Sequence, residues 1–319
     1  MGVAVLIASI TLIALSGRND GGPLLALPYQ SQRRHAWVPV LVLFLTVPAV
    51  AWWGSRAVAW SLSELFNPGG AGQFGAFAAL VGVLATLALA AALNAPTSIT
   101  LALIGSLTGT SLASTGTVDG ATLLRVVLLG LAAPMVAALL AYLLSRLPIR
   151  QIPGGTHATD VLTWMKRIAF FLMLIAYGAN DGQKVMFAVA LALSISIDDA
   201  GGSVPLMLGA SAVFVMGALF GVRQSTKFIR HGVAQTNPLS ILWGELASAT
   251  AVFVGSALGT PLSMTQSITG SLVGSAMALS PKAVYWQAIR RVGFAWVWTL
   301  PMAALVSYLL MAASNFLSV

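Results

Sequence analysis

A chain of 319 residues that is 58% hydrophobic and only 8% charged, with a mean hydropathy of +0.91, has too few charges to cover a soluble globule and reads as an integral membrane protein. The absence of cysteine excludes disulfides, thiolate metal sites and cysteine nucleophiles. The net charge of +8 would suit nucleic acid, but the basic residues fall in loops between apolar runs, so membrane lipid and not nucleic acid is the expected partner.

Taken in order, apolar segments of about 20 residues recur, each long enough to cross the hydrocarbon layer, and they predict helices and not a barrel. The first, 2–29, lacks a basic leader and a small-residue cleavage site and reads as a span. It contains Gly17-Arg18-Asn19-Asp20-Gly21-Gly22, whose glycines predict a break. A plain span (37–60), two helices meeting at Pro96 (74–93 and 98–116) and a final span (122–145) follow. Residues 146–167 hold Arg146, Arg150, His157, Lys166 and Arg167 among the breakers Pro148, Pro153, Gly154 and Gly155, the pattern of a cytoplasmic linker. The series then repeats as a broken span (168–195), a plain span (204–222), two helices meeting at Pro261 (241–259 and 264–280) and a final span (293–317).

Three matches in order support a duplication. Gly178-Ala179-Asn180-Asp181-Gly182-Gln183 pairs with Gly17 to Gly22 at an offset of 161. Pro261-Leu262-Ser263-Met264-Thr265 with Gly270 and Gly274 pairs with Pro96-Thr97-Ser98-Ile99-Thr100 with Gly105 and Gly109 at an offset of 165. Pro301-Met302 and Tyr308 pair with Pro134-Met135 and Tyr142. The expected organisation is a first repeat over 1–145, a linker over 146–167 and a second repeat over 168–319. With the linker inside, the inside loops hold 12 of the 16 Lys and Arg, while Glu64, Asp119, Asp198 and Asp199 lie outside. Corresponding loops then face opposite sides. The expected fold is an all-α membrane protein of two inverted-topology repeats with broken helices and Pro-tipped helical hairpins, in the cell (inner) membrane.

Charges at membrane depth are few: Arg18, Asp20, Asp181, Lys184 and Glu245. Each costs several kcal/mol there, on the order of 3, and so points to a role. Arg18 beside Asp20 and Lys184 beside Asp181 would, in the plainest reading, be self-neutralising pairs. The neighbouring Gly and Asn residues favour instead an oxygen-rich nest for a proton or a hard cation. Hydroxyls just after Pro96 and Pro261 sit beside unpaired helix N–H groups, and two such tips facing each other would bind an oxyanion. The Gly105/Gly109 and Gly270/Gly274 pairs have the spacing of close helix packing. Glu245 has no counterpart in the first half, where Leu80 stands, and is a candidate proton site. His35, His157 and His231 fall in inside loops.

At these residues the chain resembles the inorganic phosphate transporter (PiT) family, bacterial type, which carries a Gly-Ala-Asn-Asp signature and a Pro-x-Ser-Thr-Thr-His signature in each inverted half. Gly178 to Lys184 is similar to the first signature, and Ala295-Trp296-Val297-Trp298-Thr299-Leu300-Pro301 to the family's final-span pattern. The resemblance implies a secondary transporter and no enzyme, without cofactor, that moves inorganic phosphate with H+ or, alternatively, Na+ by alternating access. It assigns Asn19, Asp20, Asn180 and Asp181 to the ion and substrate centre, with Na+ as the metal alternative at Asp20 and Asp181, and Ser98, Thr100, Ser263 and Thr265 to phosphate. Arg18 and Gln183 are added as substrate contacts, and a homodimer is an expected assembly. Arg18 stands for the expected alanine, Ile99 and Met264 for a threonine, Leu101 and Gln266 for a histidine. These departures keep sulfate or another tetrahedral oxyanion open as the substrate. An aquaporin-like pore and an intramembrane aspartyl protease are remote alternatives: the paired pore asparagines are absent, and neither Asp20 nor Asp181 lies in a Gly-x-Gly-Asp setting.

Overall fold

The computed structural model describes residues 1–26, 37–69, 72–93, 97–147, 156–231 and 233–317. The expected inside loop 30–36 with His35, the tip proline Pro96, and Arg150 and the breakers of the linker lie outside the described residues, as do the side chains of His157 and His231. Every long element among the described residues is helical, and seven helices are long and apolar enough to cross a membrane, because in hydrocarbon each backbone polar group must be satisfied within its own segment.

Helix α1 (Gly2–Ser16) widens into a π-helical turn (Gly17–Gly21) and continues as α2 (Gly22–Ala26). Then come α3 (Trp37–Trp53) and α4 (Ala57–Glu64), separated at Gly54 to Arg56, so the expected plain span 37–60 is two helices. Helix α5 (Gly72–Ala92) and α6 (Ile99–Thr115) make the first hairpin, and α7 (Gly120–Ser145) completes the first half. The second half comprises α8 (Thr156–Leu193), α9 (Ile197–Gly202), α10 (Val204–His231), the hairpin α11 (Pro238–Ala257) and α12 (Met264–Leu279), and α13 (Trp286–Leu317).

Another expectation changes. The span carrying Asn180 and Asp181 is not broken: α8 runs 38 residues without interruption and takes in the linker from Thr156 onward. Gly178 and Gly182 serve packing there, since a Cβ would lie 2.2 Å from the Thr46 hydroxyl at the first and 2.4 Å from the Val47 carbonyl oxygen at the second. Ser263 is the N-cap of α12 and Pro261 precedes it in non-helical backbone.

The halves interlock by exchanging partners. In the first half Gly17 presses on α10, where a Cβ would lie 1.8 Å from the Phe214 carbonyl oxygen, while the matching Gly178 presses on α3. Helix α6 packs on α13 through Gly105 and Gly109, whose Cβ atoms would lie 2.2 and 2.0 Å from the carbonyl oxygens of Leu300 and Ala304. The matching Gly270 and Gly274 of α12 pack on α7, at 2.1 and 1.9 Å from those of Pro134 and Ala138. Glycine is required at these four positions because backbone meets backbone, as the small-residue spacing predicts.

Each hairpin returns to the end it left. The base of the first is tied where Ser111 accepts from the Asn67 N–H and Ser114 donates to the Asn67 carbonyl. That of the second is tied by an antiparallel bridge of Ala234 with Val284. The tips meet in the middle, where the Thr100 hydroxyl reaches the Leu262 carbonyl at 3.3 Å.

Candidate functional site

The meeting point is built from four elements. Within α8, Asp181 and Lys184 are three residues apart and therefore on one face. The π-turn inserts one extra residue into the first span and turns Asp20 inward, while Arg18 stays exposed. The non-helical stretch from Thr260 to Ser263 leaves the Leu262 carbonyl without a helical partner, and Thr100 lies in the first turn of α6.

Lys184 is the hub. Its Nζ donates to Asp181 Oδ1 at 2.7 Å, to the Leu262 carbonyl at 2.7 Å and to Thr100 Oγ1 at 3.1 Å, and lies 3.8 Å from Asp20 Oδ2. Side-chain exposure is 6% for Lys184, 1% for Asp20 and 2% for Asp181, so the ions interact far more strongly than they would in water. Asp20 Oδ1 accepts from Asn19 at 3.1 Å. Asn180 Nδ2 donates to Ser256 Oγ at 2.6 Å. Asp20 Oδ2, Asp181 Oδ2, Asn180 Oδ1 and Thr260 Oγ1 are buried with no hydrogen-bond partner, as are Gln266 Nε2 and the hydroxyls of Ser267 and Thr269 on α12. Buried polar atoms are rarely left so, and an acceptor-rich set beside unpaired donors suits a small cation together with an anion.

Beside the centre opens a cavity of about 270 Å³ lined by Arg18, Asn19, Thr97, Gln224, Thr265 and Trp296, among others. It has room for a tetrahedral oxyanion and several waters, at roughly 30 Å³ per water. The expected site residues therefore separate. Asp20, Asp181 and Thr100 converge on Lys184; Asn180 is bonded to Ser256 and to the Thr260 carbonyl; Arg18, Asn19 and Thr265 line the cavity. Ser98 accepts from the Leu101 N–H as helix cap, and Ser263 bonds Thr265 at 3.0 Å. The Gln183 amide oxygen accepts from the Val58 N–H at 2.8 Å and so holds α4. Glu245 is buried on α11.

Arg18 does not neutralise Asp20. It bonds Gln224 Oε1 at 3.0 Å, because residues two apart on a helical turn point to opposite sides. Lys184, read from sequence only as a local counter-ion of Asp181, is the residue whose importance sequence reasoning missed. Its signal was present, since it is the one lysine among the membrane-depth charges.

Against this geometry, the family model described as "Phosphate transporter family" matches residues 149–307. A probable low-affinity inorganic phosphate transporter of Rhizobium meliloti (strain 1021) is 30% identical over 252 residues, covering 76% of this chain and 75% of that protein. The chain belongs to the phosphate transporter family. A probable low-affinity inorganic phosphate transporter of Mycobacterium tuberculosis (strain ATCC 25618 / H37Rv) is 30% identical over 240 residues, covering 72% of this chain and 57% of that protein. The solved structure described as "The sodium-dependent phosphate transporter" matches over 99% of this chain and 98% of its own, with a TM-score of 0.69 and 16% identity. That likeness establishes a common fold. The seven apolar helices and the family together make this a multi-pass membrane protein.

Proposed function

We propose that the protein is a secondary transporter that carries inorganic phosphate in symport with a cation, H+ in first place and Na+ as the alternative, by alternating access. The observation that carries this is the buried Asp20–Lys184–Asp181 centre held between two hairpin tips and adjoining the cavity at Arg18. Phosphate near two carboxylates is repelled, by roughly 3 kcal/mol for each unit charge at about 5 Å and an effective dielectric near 20. Lys184 offsets part of this, and a proton or sodium ion on the free carboxylate oxygens offsets the rest. Cation and anion then bind cooperatively, which is the linkage that couples one gradient to the other.

Hairpins tied at opposite ends and matching glycine contacts across the halves support two inverted repeats, 1–145 and 168–319, around a central site. In this reading Ser263 and Thr265 of the second tip, with Ser98 and Thr100 of the first, Asn19, Asn180 and Arg18, receive phosphate as the tips part. Asp20 and Asp181 hold the cation, and Glu245 is a separate proton site. Basic loops and the linker face the cytoplasm from the inner membrane. The homodimer belongs to the same proposal.

Uptake of labelled phosphate into proteoliposomes, with separately imposed pH and sodium gradients, tests it. Accumulation above the equilibrium level under one gradient is the expected result; equilibration without accumulation would mean a passive pore. A second reading, sulfate or another tetrahedral oxyanion as cargo, is favoured by Leu101 and Gln266 at the positions of the signature histidines. Labelled sulfate under the same gradients decides between the two.

A further inference from the structure

We infer that the Lys184 ammonium is a built-in cation that permanently fills one of two cation positions at the centre, so that each anion is carried with a single exchangeable cation. This rests on the symport function proposed above and specifies its stoichiometry. Three observations carry it. First, the ammonium has the donor set a small hard cation takes: a carboxylate oxygen, a backbone carbonyl and a hydroxyl, contributed by Asp181, Leu262 and Thr100. Its three N–H groups meet three acceptors and are saturated. Second, the position is filled in one half only. The residue matching Lys184 at the offset of 161 is Pro23, which supplies no charge. Third, acceptor capacity remains: Asp20 Oδ2, 3.8 Å from the ammonium, and Asp181 Oδ2 are both buried with no hydrogen-bond partner. Two carboxylates and one ammonium leave a single negative charge, which one further cation neutralises before the anion arrives.

A tethered ammonium and a dissolved ion differ in one respect that can be measured. Lys184 screens the anion from Asp181 as an ion would, but it cannot cross with the anion and so draws nothing from the gradient. Accumulation must therefore follow the first power of the cation gradient and not the second.

The experiment is phosphate accumulation in proteoliposomes with the membrane potential clamped at zero, across a series of imposed H+ and Na+ gradients. For wild type, a tenfold gradient of the coupling cation is expected to give about a tenfold accumulation ratio of one phosphate species. Lys184→Met keeps a long stem and removes the charge; its accumulation is expected to approach a hundredfold for the same gradient, with sigmoidal dependence on the cation. Lys184→Arg retains the wild-type exponent. A wild-type exponent of two, or an unchanged exponent of one in an active Lys184→Met protein, would overturn the inference and leave the transport reading standing. If Lys184→Met does not fold, the wild-type exponent alone decides. Wild-type protein that accumulates no phosphate under any gradient would overturn the transport reading, and the inference with it.

Discussion

The two Asn-Asp segments share a sequence pattern and differ in backbone. Gly17 to Gly21 is a π-turn followed at once by Gly22 and Pro23 in α2, whereas Gly178 to Gln183 is plain α-helix running on into Lys184. Proline has no N–H to donate into the ladder and crowds the carbonyl four residues back, so a π-turn just before it relieves that conflict. In α8 nothing forces such a turn, and a lysine one turn after Asp181 folds back onto it. The same motif thus gives a carboxylate bonded only by its neighbour Asn19 in one half and one directly bonded to an ammonium in the other.

The sharpest break of this comparison is at the carboxylates. Asp181→Asn leaves the buried Lys184 without its strongest partner and should cost roughly 3–5 kcal/mol. Asp20→Asn leaves the Asp181–Lys184 pair intact and should cost clearly less, while both variants lose dependence of uptake on the coupling cation. Apparent melting temperatures in detergent, read beside uptake, separate the two effects; equal destabilisation would count against Lys184 favouring Asp181.

Next come the glycines. Gly17→Ala drives a methyl into the Phe214 backbone and should cost about 3 kcal/mol, whereas at Gly178 the obstacle is the Thr46 side chain. Thr46→Ala should therefore rescue Gly178→Ala in part, since it removes the hydroxyl and leaves a Cβ at 2.8 Å, and no side-chain truncation should rescue Gly17→Ala. Melting of the double variants checks this.

The hairpin tips differ more mildly. Ser98 caps α6, but Ser263 makes no cap bond and pairs with Thr265. Ser98→Ala should cost about 1 kcal/mol, and Ser263→Ala should show chiefly as a raised KM for phosphate.

The smallest effect is at the N-terminal end of α7, which Asp119 caps. Its bonds with Thr122 hold the carboxyl below the usual carboxylate range. A lowered folded pKa means that this stabilisation is complete above the unfolded value and is lost as pH falls through the folded one. Asp119→Asn should therefore flatten the fall in apparent melting temperature on acidification below about pH 4; an unchanged slope would assign that fall to other groups.

Much of the centre was legible in the sequence. A lone charge in an apolar run is expensive, so Asp20 and Asp181 declared themselves, and the repeat offset paired them. The spacing of Gly105/Gly109 and Gly270/Gly274 foretold backbone contact, which is how α6 meets α13 and α12 meets α7. What could not be read was direction. Arg18 stands just before Asn19 and Asp20 in the chain, yet it bonds Gln224 and lines the cavity, because the segment stays helical and residues two apart there point to opposite sides. Gln183 looked like a ligand by type, and its amide oxygen is occupied by the Val58 N–H instead.

By itself, then, the sequence determined that this is a helical membrane protein and which residue types its apolar runs carry. These follow from composition and periodicity, which act locally and additively. Only the tertiary structure decided that the first plain span divides, that the second Asn-Asp span stays helical, and that Lys184 joins both hairpin tips. Those outcomes depend on which backbone surfaces meet across more than a hundred residues of chain, and helices pack by shape complementarity that no single segment contains.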